Sequence, residues 1–136
     1  MADTVYVVDN GLGVTTKALL AAQIGIQCPH HIGWGTSVTT NYPAATGDTT
    51  LGTERAETRV TGTETQTNTG GTTNDTFQVV GTLTAAGTTA AITEVGLFDS
   101  VEGGTNIMFL HGTFSVINLN EGDSIAFTIR ATFNQA

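Results

Sequence analysis

From Ser124 to Phe133 every second residue is apolar: Ile125, Phe127, Ile129, Ala131 and Phe133, with Ser124, Thr128, Arg130 and Thr132 falling between them. A period of two puts one set of side chains on a core and the other in water, as in a half-buried strand. Ile107–Leu119 reads as another strand. The intervening Asn-Glu-Gly-Asp reads as the turn of a hairpin, with Gly122 at a positive-φ position. Ile92–Phe98 opens this C-terminal module, and Asn74–Ala85 alternates through Phe77, Val79, Gly81 and Leu83. Thr4–Val8 is a short strand closed by Asp9-Asn10-Gly11, a turn signal. Val14–Ala22 is the one helix-like stretch, with Thr15 or Thr16 as N-cap and Gly25 near its end. At one or two turns it depends on packing and not on propensity.

The middle of the chain is less regular. Ile32-Gly-Trp-Gly-Thr36 sets two glycines around the only tryptophan, which suggests close backbone approach beside an anchoring ring. Ser37–Thr50, with Pro43 and Gly47, reads as a loop. Leu51–Val60 carries Glu54, Arg55, Glu57 and Arg59 and suits a short helix or an extended arm. Thr61, Thr63, Thr65, Thr67 and Thr69 then alternate with Gly62, Glu64, Gln66 and Asn68, up to Gly70-Gly71. This is strand periodicity without an apolar face. Such a segment is a projecting hairpin, a sheet edge or a strand laid against another chain, and its own register is weakly specified.

These patterns predict one all-β domain over residues 1–136, an antiparallel β-sandwich or jelly-roll-like barrel. It would have an N-terminal strand or arm at 1–10, a short helix near the N-terminus and an extended Thr-rich arm at 59–71, projecting or intertwining. The 28 threonines and 17 glycines agree, because β-branched Thr favours extended backbone and Gly supplies turns. Trp34, Phe77, Leu97, Phe98, Phe114, Phe127 and Phe133 are the expected core anchors.

Acidic residues outnumber basic ones 12 to 4, for a net charge of −8. Phosphate backbones and anionic membranes need clustered Lys and Arg, so neither nucleic acid nor membrane is expected as a partner. A single cysteine, Cys28, excludes an intrachain disulfide framework. The start of the chain lacks a basic region, Val5–Val8 is too short for a signal core, and no apolar run reaches membrane-spanning length. Synthesis in a cytoplasm, without a signal peptide, is expected.

Candidate chemistry is thin. Cys28, His30 and His31 form a Cys-Pro-His-His cluster, but a zinc site wants about four ligands, commonly in two spaced pairs, and no second pair exists. A turn before the Gly-Trp-Gly strand is the simpler reading. Gly11-Leu-Gly13-Val-Thr-Thr-Lys17 lacks the Gly-Lys-Ser/Thr ending of a phosphate loop and the third glycine of a dinucleotide fingerprint. Asp48, Glu54, Glu57 and Glu64 are acidic enough for paired-carboxylate hydrolysis, yet Arg55 and Arg59 among them favour an ion-pair cluster. Asn118, Asn120, Glu121 and Asp123 gather oxygens in one loop, but their spacing suits a β-turn better than a calcium loop. No nucleophile, base and orienter occur in a recognisable order. The expectation is no enzyme, no cofactor and no metal.

Taken together, Ile32-Gly-Trp-Gly-Thr36, Asp48-Thr-Thr-Leu-Gly-Thr-Glu54 leading to Arg59, Ile92-Thr-Glu-Val-Gly-Leu-Phe-Asp99 and Gly122-Asp-Ser-Ile-Ala-Phe127 resemble small virion structural proteins of tailed bacteriophages. The resemblance runs from about Gly11 to Phe133. It implies a virion component, and within that class a capsid decoration (cement) protein, a homotrimer that ties major capsid protein subunits together. It carries over no catalytic residue. The contacts would come from Thr4, Val5 and Tyr6 of the N-terminal strand and from Arg59, Thr61, Thr63, Thr65 and Thr67 of the arm. A tail, baseplate or fibre component is the alternative within the class. A carbohydrate- or receptor-binding module, with Trp34 or Tyr42 as a stacking platform, is the alternative outside it.

Overall fold

A computed structural model describes residues 3–19, 27–68, 73–101 and 106–133. In chain order these form β1 (Thr4–Val7), α1 (Asp9–Leu19), β2 (His31–Gly35), β3 (Val60–Thr61), β4 (Thr63–Thr67), β5 (Thr76–Thr84), β6 (Ala90–Phe98), β7 (Met108–Leu119) and β8 (Ser124–Thr132). Two antiparallel sheets result, one ordered β1-β7-β6-β2-β3 and the other β4-β5-β8. The all-β sandwich with one short helix near the N-terminus is therefore what the chain forms.

The alternation read from the sequence decides which faces meet. In β8, Ile129 and Ala131 are buried and Ile125 and Phe127 half-buried, while Ser124, Ala126, Thr128 and Arg130 are exposed. Phe77, Val79 and Leu83 of β5 share that inward face through the pairs Phe77↔Ala131, Val79↔Ile129 and Leu83↔Ile125. Ile32, Trp34, Ile92, Val95, Leu97 and Leu110 of the larger sheet meet them to form the main core, with Phe77, Phe114 and Phe127 packed at its margin. Phe133 is the exception among the expected anchors. It follows the end of β8 and stays 52% exposed.

β7 and β8 do not form the expected hairpin. They belong to opposite sheets, because each must present its apolar set to the same core from opposite sides. Residues 120–123 are thus an arch between sheets. Gly122, at φ +87°, donates its N–H to the Ala85 carbonyl, and the Ala85 N–H donates to Asp123, both at 2.8 Å. Ala85 belongs to the β5–β6 connection, which makes the same change of sheet, so the two arches brace each other.

The chain changes sheet again between β3 and β4, with only Gly62 between them. Residues 63–67 are not a projecting arm. They lie in the smaller sheet as its edge strand, paired with β5 from Thr63↔Val80 to Thr67↔Thr76. Of the options left open by their two polar faces, the sheet edge is the one realised. Thr69 and Gly70-Gly71, expected to end this strand, lie outside the described residues.

The helix starts earlier than expected, at Asp9. The Leu12 N–H reaches the Val8 carbonyl at 3.1 Å, and the Asp9 N–H is taken by the Thr46 carbonyl at 2.8 Å. The Asp9 carboxylate also sits in the first turn, where the helix dipole favours it. Thr15 and Thr16 cap nothing, since their hydroxyls donate back to the Gly11 and Gly13 carbonyls. The expected C-terminal part of the helix, residues 20–22, and Gly25 lie outside the described residues.

Residues 36–59 form no regular helix or strand, and this long connection lies on the outer face of the larger sheet. Leu51 from it, Val8, Phe98 and Met108 form a second, small core there. Phe98 therefore anchors this outer cluster and not the space between the sheets.

Candidate functional site

Gly33 and Gly35 are what let residues 36–59 lie down on the sheet. A Cβ at Gly35 would collide with the Glu94 carboxylate and the Thr53 carbonyl, and one at Gly33 with Glu54 and Arg59. Glycine is the residue that permits such an approach. The Glu94 side chain is fully buried. It accepts from the backbone N–H groups of Gly52 (2.9 Å), Thr53 (2.9 Å) and Ser37 (3.4 Å), and contacts His111 Nε2 at 3.0 Å. The other ring nitrogen of His111 meets Asp48 at 2.7 Å. Burial works against charge on both side chains, but mutual contact outweighs it. Glu94, held by His111 and three amides, has its pKa lowered, and His111, between Glu94 and Asp48, has its pKa raised.

The buried Asp48–His111–Glu94 row looks like part of a proton relay but is built as a brace. Carboxylates occupy both nitrogens of the imidazole, so neither is left for a nucleophile, and His111 is 0% exposed. The arrangement fixes residues 36–53 to β6 and β7. It is completed by a Thr93 hydroxyl bond to the Ser37 carbonyl and an Ala44 N–H bond to the Thr113 hydroxyl.

The other acidic candidates are also engaged. Glu54 forms a two-point pair with Arg59 (2.6 and 2.9 Å). Arg59 stacks over Phe98, 3.4 Å from its ring centre, and donates to Ser100 and Asn106. Expected as a contact residue for a partner, Arg59 is instead 9% exposed and turned inward. Its guanidinium finds carboxylate, carbonyl and ring within its own chain. Glu57 pairs with Arg55 at 2.7 Å and accepts the Ala86 N–H. Glu54 and Glu57 line one open depression of about 350 Å³, each neutralised by its arginine. The ion-pair reading of this cluster fits the geometry, and paired acid–base carboxylates do not. Asn120 and Asp123 close the 120–123 turn on themselves through the Asn120 N–H and the Asp123 carboxylate.

Neither ring considered as a sugar platform is presented as one. Trp34 is 1% exposed, inside the main core. Tyr42 is half-buried, with its hydroxyl 3.4 Å from the Phe114 carbonyl.

The Cys-Pro-His-His stretch gains a member that the sequence did not reveal. The His30 N–H donates to the Cys28 carbonyl at 2.9 Å, a tight turn over Pro29, and the His30 carbonyl takes the Gly62 N–H at 2.7 Å. The second bond brings the start of β4 alongside, and Glu64 meets His30 Nδ1 at 2.8 Å. One donor atom each from Cys28, His30 and Glu64 lies within 4.8 Å of the others. Burial, and then the charge of Glu64, push the Cys28 thiol pKa up. The His31 ring packs edge-on against that of His30, with centroids 4.5 Å apart, but its Nδ1 turns to the Thr61 hydroxyl at 3.1 Å.

The two long sides of the sandwich differ. The β3–β4 side is joined by the chain itself through Gly62. On the other side β1 and β8 are edge strands. β1 covers β7 only from Leu110 to Thr113, so β7 runs on beyond it. Asp3, Phe114, Ser115, Ile117 and Phe127 line an open depression of about 290 Å³ there. Val5 (57% exposed), Tyr6 (43%), Val116 (51%) and Ile117 (40%) add apolar surface to β1 and the outer half of β7. Thr4 and Thr67 are half-buried, and Thr61, Thr63 and Thr65 are exposed.

No family model, curated protein or solved structure matches the chain. No helix among the described residues is long and apolar enough to cross a membrane.

Proposed function

We propose that this chain is a structural protein of a tailed-bacteriophage particle, a capsid decoration protein that binds neighbouring coat subunits and other copies of itself. It acts mechanically and not as an enzyme. The observation that carries the mode of action is the open side of the sandwich. Edge strands present unpaired N–H and C=O groups that a strand from another chain completes. Here two such edges, β1 and β8, occur with exposed Val5, Tyr6, Val116 and Ile117. The sequence resemblance supplies the setting. The stretches that carry most of it meet at one place: Gly35 under Glu94, Gly52 and Thr53 on its carboxylate, and Glu54 with Arg59 over Gly33. The pattern thus marks how the loop is pinned, which suits a scaffold.

The test is to image or label the protein on intact particles and to measure its mass in solution. Many copies spread over the head, and a trimer in solution, are expected. A few copies at one vertex would move the protein to the tail, and its absence from particles would end the proposal. Val5→Glu combined with Tyr6→Glu changes only exposed side chains, so the monomer should melt within about 2 °C of the parent. It should nevertheless lose binding to particles. Undiminished binding would remove the open side from the proposal.

A further inference from the structure

We propose that Cys28, His30 and Glu64 form a zinc-binding site that clips the strand edge of one sheet to the other. This goes beyond the structural role above and does not depend on it. The donor set is one that Zn²⁺ takes: a thiolate sulfur, an imidazole nitrogen and a carboxylate oxygen. Bonds of about 2.0 Å to nitrogen and oxygen and about 2.3 Å to sulfur put tetrahedral donors about 3.3–3.6 Å apart. The three donors already lie within 4.8 Å of one another. His30 and Glu64 are at 2.8 Å, in hydrogen-bond contact. Small rotations of Cys28 and Glu64, both at the surface, therefore close the site around an ion, while His30 is half-buried against the His31 ring and holds its place. Cys28 and Glu64 are both exposed, which gives the ion an entry path.

The backbone has done the assembling. Proline between Cys28 and His30, with the N–H to C=O bond across it, folds the two ligands together. The Gly62 N–H on the His30 carbonyl sets the register that delivers Glu64. Cys28 and His30 lead into β2 of the larger sheet, and Glu64 sits on β4 of the smaller one. An ion here spans the place where the chain passes between sheets. Three protein ligands leave one tetrahedral position for water or for a donor from another subunit. When the ion binds, the Cys28 sulfur donates its electron pair to the metal and its proton leaves to solvent.

The experiment uses the full chain under reducing conditions. Co²⁺ titration should give a near-ultraviolet thiolate-to-metal charge-transfer band, and Zn²⁺ should displace it. Cys28→Ser should abolish the band. His30→Ala and Glu64→Gln should each weaken Co²⁺ and Zn²⁺ binding roughly tenfold or more. Zn²⁺ should raise the melting temperature of the parent and not of Cys28→Ser, and melting without metal identifies any variant that fails to fold. Two results would overturn the site: no charge-transfer band in the folded parent, or a band whose affinity is the same in His30→Ala and Glu64→Gln. The second would mean a lone thiol collecting metal.

Discussion

Replacing Glu94 with Gln keeps the size of the side chain and removes its charge. The Oε1 position still accepts from Ser37 and Thr53. The Oε2 position becomes an amide NH₂ facing the Gly52 N–H and His111 Nε2. Losing the charge-assisted bond to His111 costs about 1.5–3 kcal/mol, and a buried unsatisfied Gly52 donor about 1–3 more. Flipping the amide does no better, because it then faces two N–H groups. The sum, about 2.5–6 kcal/mol, brackets the roughly 3–5 kcal/mol for removing one partner from a buried ion pair, and that narrower range is the expected cost. It is a large share of the roughly 5–15 kcal/mol that holds a domain together, and it corresponds to a melting temperature about 10–20 °C lower. Differential scanning calorimetry across pH is the assay. In the parent, His111 has a raised pKa, so its contribution is complete below the ordinary imidazole value of 6.5 and lost as pH rises through the folded value. Glu94 has a lowered pKa, so its contribution is complete above the ordinary 4.5 and lost as pH falls through the folded value. The network therefore contributes most between those two ordinary values. The variant should flatten both limbs. A variant melting within about 2 °C of the parent, or a parallel pH curve, would refute the brace.

Gly35→Ala should drive a methyl group into Glu94 and Thr53. A melting temperature lower by roughly 5–10 °C, or loss of soluble protein, is expected; Gly47→Ala, with open space around it, is the neutral control. Glu57 has its carboxyl pKa brought down to about 2, because Arg55 and the Ala86 amide outweigh the burial that pushes it up. Glu57→Gln should cost about 1–3 kcal/mol near neutrality. That difference should shrink as pH falls from 4.5 through about 2, read by urea unfolding at both ends.

Strand positions and faces were legible because a period of two survives wherever one face is buried. β5 and β8 follow their alternation, and Phe77, Val79 and Ile129 point where it requires. What the period does not encode is which sheet a strand joins. The turn at 120–123 looks the same whether it closes a hairpin or an arch, and only the bonds to Ala85 separate the two. The Thr-rich strand had no apolar face to read, so its place came from pairing with β5. The helix start was hidden because Asp9-Asn10-Gly11 reads as a turn until Thr46 and β7 are in place. Gly-Trp-Gly did announce close approach, but not that a buried carboxylate would fill the space. Glu64 was unreadable as a partner of Cys28 and His30, since more than thirty residues separate them and only the β2–β3 pairing, continued by the Gly62 N–H on the His30 carbonyl, aligns them.

The pairing of β1 with β7 also bears on how the protein is made. Thr4 leaves the ribosome more than a hundred residues before its partner Thr113, and β5 must wait for β8 before its inner face is covered. Neither sheet can close while the chain is still emerging through β6. Closure therefore waits until β7 and β8 have emerged and is dominated by distant pairings, which makes it slow and exposes apolar strand faces in the interval. In the producing cell, yield should depend more on chaperone capacity and growth temperature than on the stability of the finished fold.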